Sequence, residues 1–491
     1  MKILFVAMHN SIHTARWINQ LEGTGWDVHL FPVEPEIALP HFDLCNVTLY
    51  RPQEYESHKV QDSIKIVSFE SLIFSERAKT SLTEFGLVSL AHILGLVIKQ
   101  LKPHIVHSME MQHAAYLTLE AKMILGEKFP PWIYSCWGSD IYYFQQFEEH
   151  RPRICDVLAS CDYLFTDTYR DVDLAKRYGF KGELLGVYPG VGGYKIDEMR
   201  SLVSFIPPSQ RKTIVIKGYV GWVYRPFVVL DALETCADFL RGYEIVIYQP
   251  CSDELVQRAH EICEKSGARL RLLSHRPHAE VVKLFGAARI ALASSISDGT
   301  PNSMLEAMVM GAFPIQSDTV STRDWVDDGV NGFLVAPEDV AGFSIAIKKA
   351  LTNDLLVDMA AESNIEKLKN QIDYGVIQPE IITKYTEVIS ATPKMLSQFF
   401  CSAVINNQVR AQKLRNLEQI FQDLGQRYQS LAQQYQDLEQ RNQSLVQQYN
   451  ELKQTKAVKF AEAIAAYPLV RKFFLYIYRV TIKIHSSFKE K

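Results

Sequence analysis

Short apolar runs rich in β-branched residues recur along the first two-thirds of the chain. They predict strands at Lys2–Ala7, Asp27–Phe31, Ile105–His107, Trp132–Ser135, Tyr163–Thr166, Thr213–Ile216, Glu244–Tyr248, Arg269–Leu273, Ile290–Ala293 and Phe313–Gln316. These runs are continuously apolar rather than alternating, as expected of strands covered on both faces in a parallel sheet. Helical patterns between them supply right-handed crossovers. The class is therefore α/β. A break at Phe205-Ile-Pro-Pro-Ser-Gln-Arg211 divides the pattern into two series, each the length of one doubly wound, Rossmann-like domain, at 1–205 and 206–395. In open sheets ligands bind beyond the carboxyl ends of the strands, so two facing domains imply a cleft between them.

The pattern changes past residue 405. Between Gln408 and Gln454, 14 of 47 residues are Gln and a seven-residue unit repeats. With Leu417, Leu424, Leu431, Leu438, Leu445 and Leu452 at d, the a positions hold Leu414, Phe421, Tyr428, Tyr435, Asn442 and Tyr449. Both seams are occupied, which predicts a coiled coil over 408–455 and a homo-oligomer, with Asn442 fixing register. The competing reading is a solvated Gln-rich linker. The tail 456–491 carries eight Lys/Arg against two Glu, a local net of 8 − 2 = +6, mixed with Phe473, Phe474, Tyr476 and Ile477. Such a basic amphipathic segment suits an anionic membrane surface; packing on its own body or on a partner is equally compatible.

Composition narrows the classes. The 491 residues are 47% hydrophobic and 22% charged, an ordinary globular balance, with a formal charge of 52 − 56 = −4. A general nucleic-acid binder needs a broad cationic footprint and is disfavoured. Eight cysteines without a C-x-x-C pair argue against a disulfide scaffold or a structural zinc site and suit a reducing compartment. The opening Met1–Met8 is followed at once by polar residues and reads as a buried strand rather than a signal peptide. The longest apolar run, Leu87 to Ile98, is too short to span a bilayer. A cytoplasmic protein is expected, peripheral on the inner membrane face if the tail binds lipid.

The richest chemistry lies in Ser294–Gly311. A strand ends, a Gly299-Thr300-Pro301 turn follows, and a helix begins. The amides of Thr300, Asn302 and Ser303 would then point into the cleft at the positive end of the helix dipole, which is a phosphate site. Asp298 and Glu306 flank it, placed to bracket an elongated ligand, and a carboxylate accepting from vicinal hydroxyls is a ribose clamp. This stretch resembles glycosyltransferase family 4, retaining enzymes of the two-domain GT-B fold. The pattern Asp298-Gly-x-Pro-x-x-x-x-Glu306 is similar to that family's E-x7-E motif with the first Glu shortened. The likeness continues through Gly311, Pro314, Asp328-Gly-x-Asn-Gly332 and Glu338-Asp339, and at the amino half through Ser11-Ile-His13-Thr-Ala-Arg16-Trp17, Pro103–His107 and Trp137-Gly138-Ser139-Asp140.

The resemblance implies that Glu306 holds the donor ribose, that Gly299, Thr300, Pro301, Asn302 and Ser303 hold the diphosphate, and that Asp298 lies near the transferred sugar. It also implies a nucleotide-sugar substrate, no metal, no cofactor and no protein nucleophile, with cations and helix amides stabilising the leaving group. Where the family carries Gly-Arg and a later Lys, this chain has Lys217-Gly218-Tyr219 and Tyr224-Arg225, so Lys217 or Arg225 supplies that charge or both are surface cations. In the acceptor loop the family's His-Gly is replaced by Trp137-Gly138. Asp140, Trp137, His13 and Glu110 are acceptor-side candidates, and Trp137 is alternatively a core residue. His107, at the end of a strand, is a catalytic candidate or a satisfied core histidine. His275 and His278 fall where the family holds the nucleobase. The function implied is sugar transfer to a glycan or lipid-linked acceptor hydroxyl. The alternative is a non-catalytic scaffold in polysaccharide assembly, suggested by the substitutions at Asp298, Tyr219 and Trp137.

Overall fold

The computed structural model describes residues 1–35, 39–51, 63–69, 89–274 and 276–391, and beyond them 456–466 with isolated positions between 433 and 476. Residues 1–391 form one compact unit and 392–491 a second. Among the described residues of the first unit the strands make two wholly parallel sheets, eight- and six-stranded. The amino-terminal sheet contains β1 (Lys2–Ala7), β2 (Asp27–Pro32), β3 (Val47–Arg51), β4 (Ile64–Ser68), β5 (Ile105–Met109), β6 (Trp132–Ser135), β7 (Tyr163–Thr166) and β8 (Glu183–Val187), in the order β4-β3-β2-β1-β5-β6-β7-β8. The carboxyl-terminal sheet contains β9 (Thr213–Lys217), β10 (Glu244–Tyr248), β11 (Arg269–Leu273), β12 (Ala288–Ala293), β13 (Phe313–Ser317) and β14 (Phe333–Val335), in the order β11-β10-β9-β12-β13-β14. This is the two-lobed α/β architecture that the apolar runs predict.

Every predicted strand is present. Four more, β3, β4, β8 and β14, escaped the sequence pattern. Three of them (β4, β8 and β14) are sheet edges, where one flank faces water and the apolar run breaks: Lys65 and Ile66 are exposed in β4, and Glu183 and Leu184 in β8. The central strands are the reverse. Residues Ile3 to Ala7 of β1 are fully buried, as are those of β5. Helix boundaries follow local chemistry. Ser11 caps the helix Ile12–Asn19 by accepting from the His13 amide, and Ser252 caps Asp253–Ser266, which Gly267 closes in the left-handed conformation at φ +71°.

Strand order reverses beside β1 in the first sheet and beside β9 in the second, and these are the positions where open sheets leave a crevice. The division at 205/206 separates the sheets but not the packing. The helix Tyr374–Ser390 returns to the amino-terminal core, where Ile377, Ile381, Tyr385 and Val388 pack with Phe5, Trp17 and Phe165. The phenol of Tyr385 accepts from Trp17 Nε1 at 2.9 Å. The second expected domain, 206–395, therefore ends on the first.

In the second unit, Lys456–Ala465 is helical, as are the described positions between 433 and 451. Most heptad positions of the expected coiled coil lie outside the described residues. Among the described residues no helix is long and apolar enough to cross a membrane.

Candidate active site between the lobes

The candidate residues gather at the carboxyl ends of the strands. From the first lobe come His13 and Arg16 after β1, Trp137 after β6, and Asp167 and Arg170 after β7. From the second come Lys217 at the end of β9 and Ser294–Pro301 after β12, leading into the helix Asn302–Val309. That helix starts without a side-chain cap. Its amino end therefore keeps the positive pole that the sequence predicts.

Glu306 sits one turn into this helix and is buried. Its Oε1 accepts from His278 Nε2 at 2.6 Å and from Arg16 Nη1 at 3.4 Å, the latter across the cleft from the other lobe. Burial alone would raise the Glu306 carboxyl, but the His278 hydrogen bond and the Arg16 charge outweigh it and hold the group below its usual range. Both contacts use one oxygen.

Lys217 and Asp298 are the site's other buried charged groups, each within the electrostatic influence of the other. Burial works against the Lys217 ammonium, yet the facing Tyr224, Tyr248 and Tyr219 phenols and the Asp298 carboxylate hold it above its usual range. Its ammonium lies 4.6 Å from the Tyr224 ring centre and 5.1 Å from that of Tyr219. Burial pushes the Asp298 carboxyl up, and Lys217 offsets part of that rise. Gly218 follows where a side chain would not fit: a Cβ there would stand 2.6 Å from Ile247 and 3.0 Å from Pro250.

The phosphate turn is less open than the sequence suggests. The Thr300 amide donates to Asp167 Oδ2 at 3.0 Å, and the Thr300 hydroxyl donates to the Asp167 carbonyl at 2.6 Å. Gly299 is covered too, because a Cβ on Gly138 would come within 2.1 Å of its Cα. Ser139 and Ser297 share a hydroxyl hydrogen bond at 2.8 Å. Pro301 is the N-cap, Asn302 accepts from the Tyr194 hydroxyl, and Ser303 hydrogen-bonds Tyr248. In these closed lobes Thr300 and Gly299 thus face first-lobe groups, which corrects the expectation of a Thr300 amide aimed at a ligand.

Four further expectations change. His107 is fully buried, with Nδ1 on the Tyr385 hydroxyl at 2.6 Å and Nε2 on the Ser135 hydroxyl at 2.7 Å; it is a core residue, not a group at the cleft. Asp140 accepts from Tyr134, Cys136 and the amides of Trp137 and Ile141, so its carboxylate is consumed in holding its own loop. Glu110 sits at φ +85° and caps the short helical turn Met111–Ala115 by accepting from the amides of Gln112, His113 and Ala114. Arg225 sits at the N-cap position of the helix Pro226–Glu234 and pairs with Glu338 at 3.1 Å, so Lys217 and Arg170, not Arg225, are the cations near Asp298. His13 and Trp137 do come together, with ring centres 5.1 Å apart, and their Nδ1 and Nε1 atoms are buried without a partner among the described residues. Burial, then Arg16 and Lys217, lower His13 to about 4, so its ring is neutral near pH 7. His275 lies outside the described residues.

Sequence reasoning missed Asp167, Arg170 and Tyr194. Arg170 pairs with Asp171 and donates to the carbonyls of Asp298 and Thr319. The position of Asp167 and Arg170 just past the end of β7 was the available signal.

Comparison with known proteins agrees with this geometry. The model of the family "Glycosyl transferase 4-like" matches residues 42–167 and that of "Glycosyl transferases group 1" matches residues 225–353. No curated protein matches at a significant level. Among solved structures, the chain is similar to Anabaena HepE in complex with UDP-glucose at TM-score 0.55 and 13% identity, covering 79% of this chain and 100% of that one. It is similar to sucrose-phosphate synthase from Thermosynechococcus elongatus at 0.55 and 13%, covering 80% and 100%. It is also similar to S. aureus TarM at 0.57 and 9%, covering 79% and 100%. With one model on each lobe and this two-sheet architecture, the chain belongs to the family-4-like glycosyltransferases of the GT-B fold.

Proposed function

We propose that the enzyme moves a sugar from a nucleoside-diphosphate donor to a hydroxyl of a glycan or lipid-linked acceptor, with retention and without a metal. The carrying observation is the convergence of Lys217, Asp298, Glu306 and an uncapped helix amino end on one cleft. In this reading Lys217 and the amides of Asn302 and Ser303 receive the diphosphate. Charge grows on the departing phosphate oxygen as the anomeric bond breaks, and Lys217 stabilises it more in the transition state than in the ground state. The acceptor oxygen forms the new glycosidic bond on the same face, and its proton leaves with the nucleoside diphosphate. Glu306 Oε2, the oxygen not used by His278 or Arg16, takes the ribose hydroxyls. Asp298, next to Lys217, faces the transferred sugar.

The Thr300 amide joins the diphosphate-binding set only where the donor displaces Asp167, which holds it in this structure. HepE, whose solved complex holds UDP-glucose, lends support to a nucleotide-sugar donor. The purified full-length protein, screened against a panel of nucleotide sugars, should hydrolyse at least one. Lys217→Ala should lower kcat/KM by roughly 100- to 1,000-fold. If calorimetry detected no nucleotide sugar binding, the scaffold reading would stand instead.

A further inference from the structure

The loop after β9 is pinned at both ends and bare at its tip. The Gly218 amide donates to the Tyr248 carbonyl at 2.9 Å, the Ile296 amide to the Val223 carbonyl at 2.9 Å, and the Arg225 amide to the Ser294 carbonyl at 2.9 Å. Between these ties, Val220, Gly221 and Trp222 are exposed, and Trp222 is 52% exposed despite being the largest side chain available to bury. An exposed Trp on a fixed loop is costly to solvate and points to a surface that something covers.

Trp222 is not isolated. Its ring centre lies 4.3 Å from that of Tyr143 at an interplanar angle of 45°, and 5.7 Å from that of Phe144. Tyr143 and Phe144 belong to the other lobe, so the two lobes together build a tilted aromatic notch. The same loop is rooted at Lys217, which places the notch beside the donor site. Its surroundings are polar and mixed in charge: Arg225 donates to the Trp222 carbonyl at 3.1 Å, and exposed Arg151 donates to the Gln145 carbonyl at 2.9 Å. Gln146, Glu148 and Glu149 are exposed, and the nearby Arg225 is engaged by Glu338.

Resting on the proposed transfer reaction, we infer that Trp222 and Tyr143 stack a pyranose ring of a neutral glycan acceptor. The electropositive C–H face of a sugar ring suits the negative, exposed face of Trp222, which Tyr143 backs from the other lobe, and the rim amides donate to its hydroxyls while the carboxylates accept from them. The acidic groups Glu148, Glu149 and Glu338 outnumber Arg151 and Arg225 here, so neither an anionic lipid surface nor an acidic polysaccharide matches the site. Because the two rings come from opposite lobes, the ring-stacking site is complete only when the cleft closes, so acceptor binding favours closure over the donor.

The test uses full-length protein with malto-, cello-, xylo- and chito-oligosaccharides, read by saturation-transfer NMR and by the ratio of sugar transfer to donor hydrolysis. At least one oligosaccharide should bind. Trp222→Ala and Tyr143→Ala should each weaken it about tenfold and lower the transfer-to-hydrolysis ratio by a similar factor, and Trp222→Phe should recover most of both. Equal affinities in all variants, no oligosaccharide bound by the wild type, or Trp222-dependent flotation on phosphatidylglycerol vesicles instead would each overturn the inference. Loss of all donor hydrolysis and nucleotide binding in the wild type would mark failure of the transfer reading itself, which the NMR arm does not depend on.

Discussion

At the scale of single residues the site is organised by which oxygen of Glu306 is used. His278 and Arg16 both occupy Oε1, and in the proposed reaction this leaves Oε2 to receive the donor ribose. Glu306→Ala should therefore raise donor KM by roughly 10- to 100-fold, the weight of one or two charge-assisted hydrogen bonds. His278→Ala should raise it less, since the carboxylate stays but swings. An unchanged donor KM in Glu306→Ala would refute the ribose assignment. His107 shows the opposite economy: a histidine spent on packing. Burial lowers it to about 3. The unfolded chain takes up that proton near pH 6.5 and the folded chain only near 3, so in between the unfolded state binds more protons and stability falls as pH drops. The loss approaches the order of 5 kcal/mol at the acid end. His107→Asn should be less stable at pH 7 yet show a shallower decline from pH 6.5 to 4 in urea titrations. Parallel declines would place the acid lability elsewhere, with His13 the next group to examine.

Among the secondary-structure elements, the sequence was most readable where burial is two-sided. β1, β5, β9 and β12 are central, continuously apolar and correctly placed, and the strand–turn–helix at 294–309 stood out because its turn residues and carboxylates are local. Edge strands were not readable, since β4 and β8 mix polar and apolar residues as any solvated segment does. Contacts between distant segments were equally hidden. Nothing local marks Asp167 as the partner of Thr300, or Tyr385 as the partner of His107, because each contact spans well over 100 positions. The same local logic misread Glu110 and Asp140, whose carboxylates are turned back on their own loops. The Asp167 contact carries a consequence for the helix Asn302–Val309. A carboxylate already accepts an amide that the turn would otherwise offer to a phosphate, so protein and donor compete for it. Asp167→Ala should tighten nucleoside-diphosphate binding several-fold in calorimetry. Weaker binding would show that Asp167 supports the turn instead of competing for it.

For the molecule as a whole, two features lead to tests: the contact between the lobes, and the segment beyond residue 391. Gly138 and Gly299 pack backbone to backbone across the lobes, which only glycine allows at Gly138, where φ is +78° and an added Cβ would meet Gly299 Cα at 2.1 Å. Gly138→Ala should hold the lobes apart, and small-angle scattering should report a larger radius together with lower transfer. The second unit carries the heptad pattern, with leucines at one seam and Leu414, four aromatics and Asn442 at the other. If those heptads assemble, association resides wholly in 392–491, because the first unit has its own buried cores and a returning helix that completes them. A chain ending at Ala391 should therefore stay folded and active on a soluble acceptor while its light-scattering mass drops to that of a monomer. Vesicle flotation should be lost with the same truncation if the basic tail binds lipid, and should be weakened by salt in the full-length chain. Equal oligomeric states for the full-length and shortened chains would remove the coiled coil from the assembly and leave the Gln-rich stretch as a spacer between the catalytic body and the basic tail.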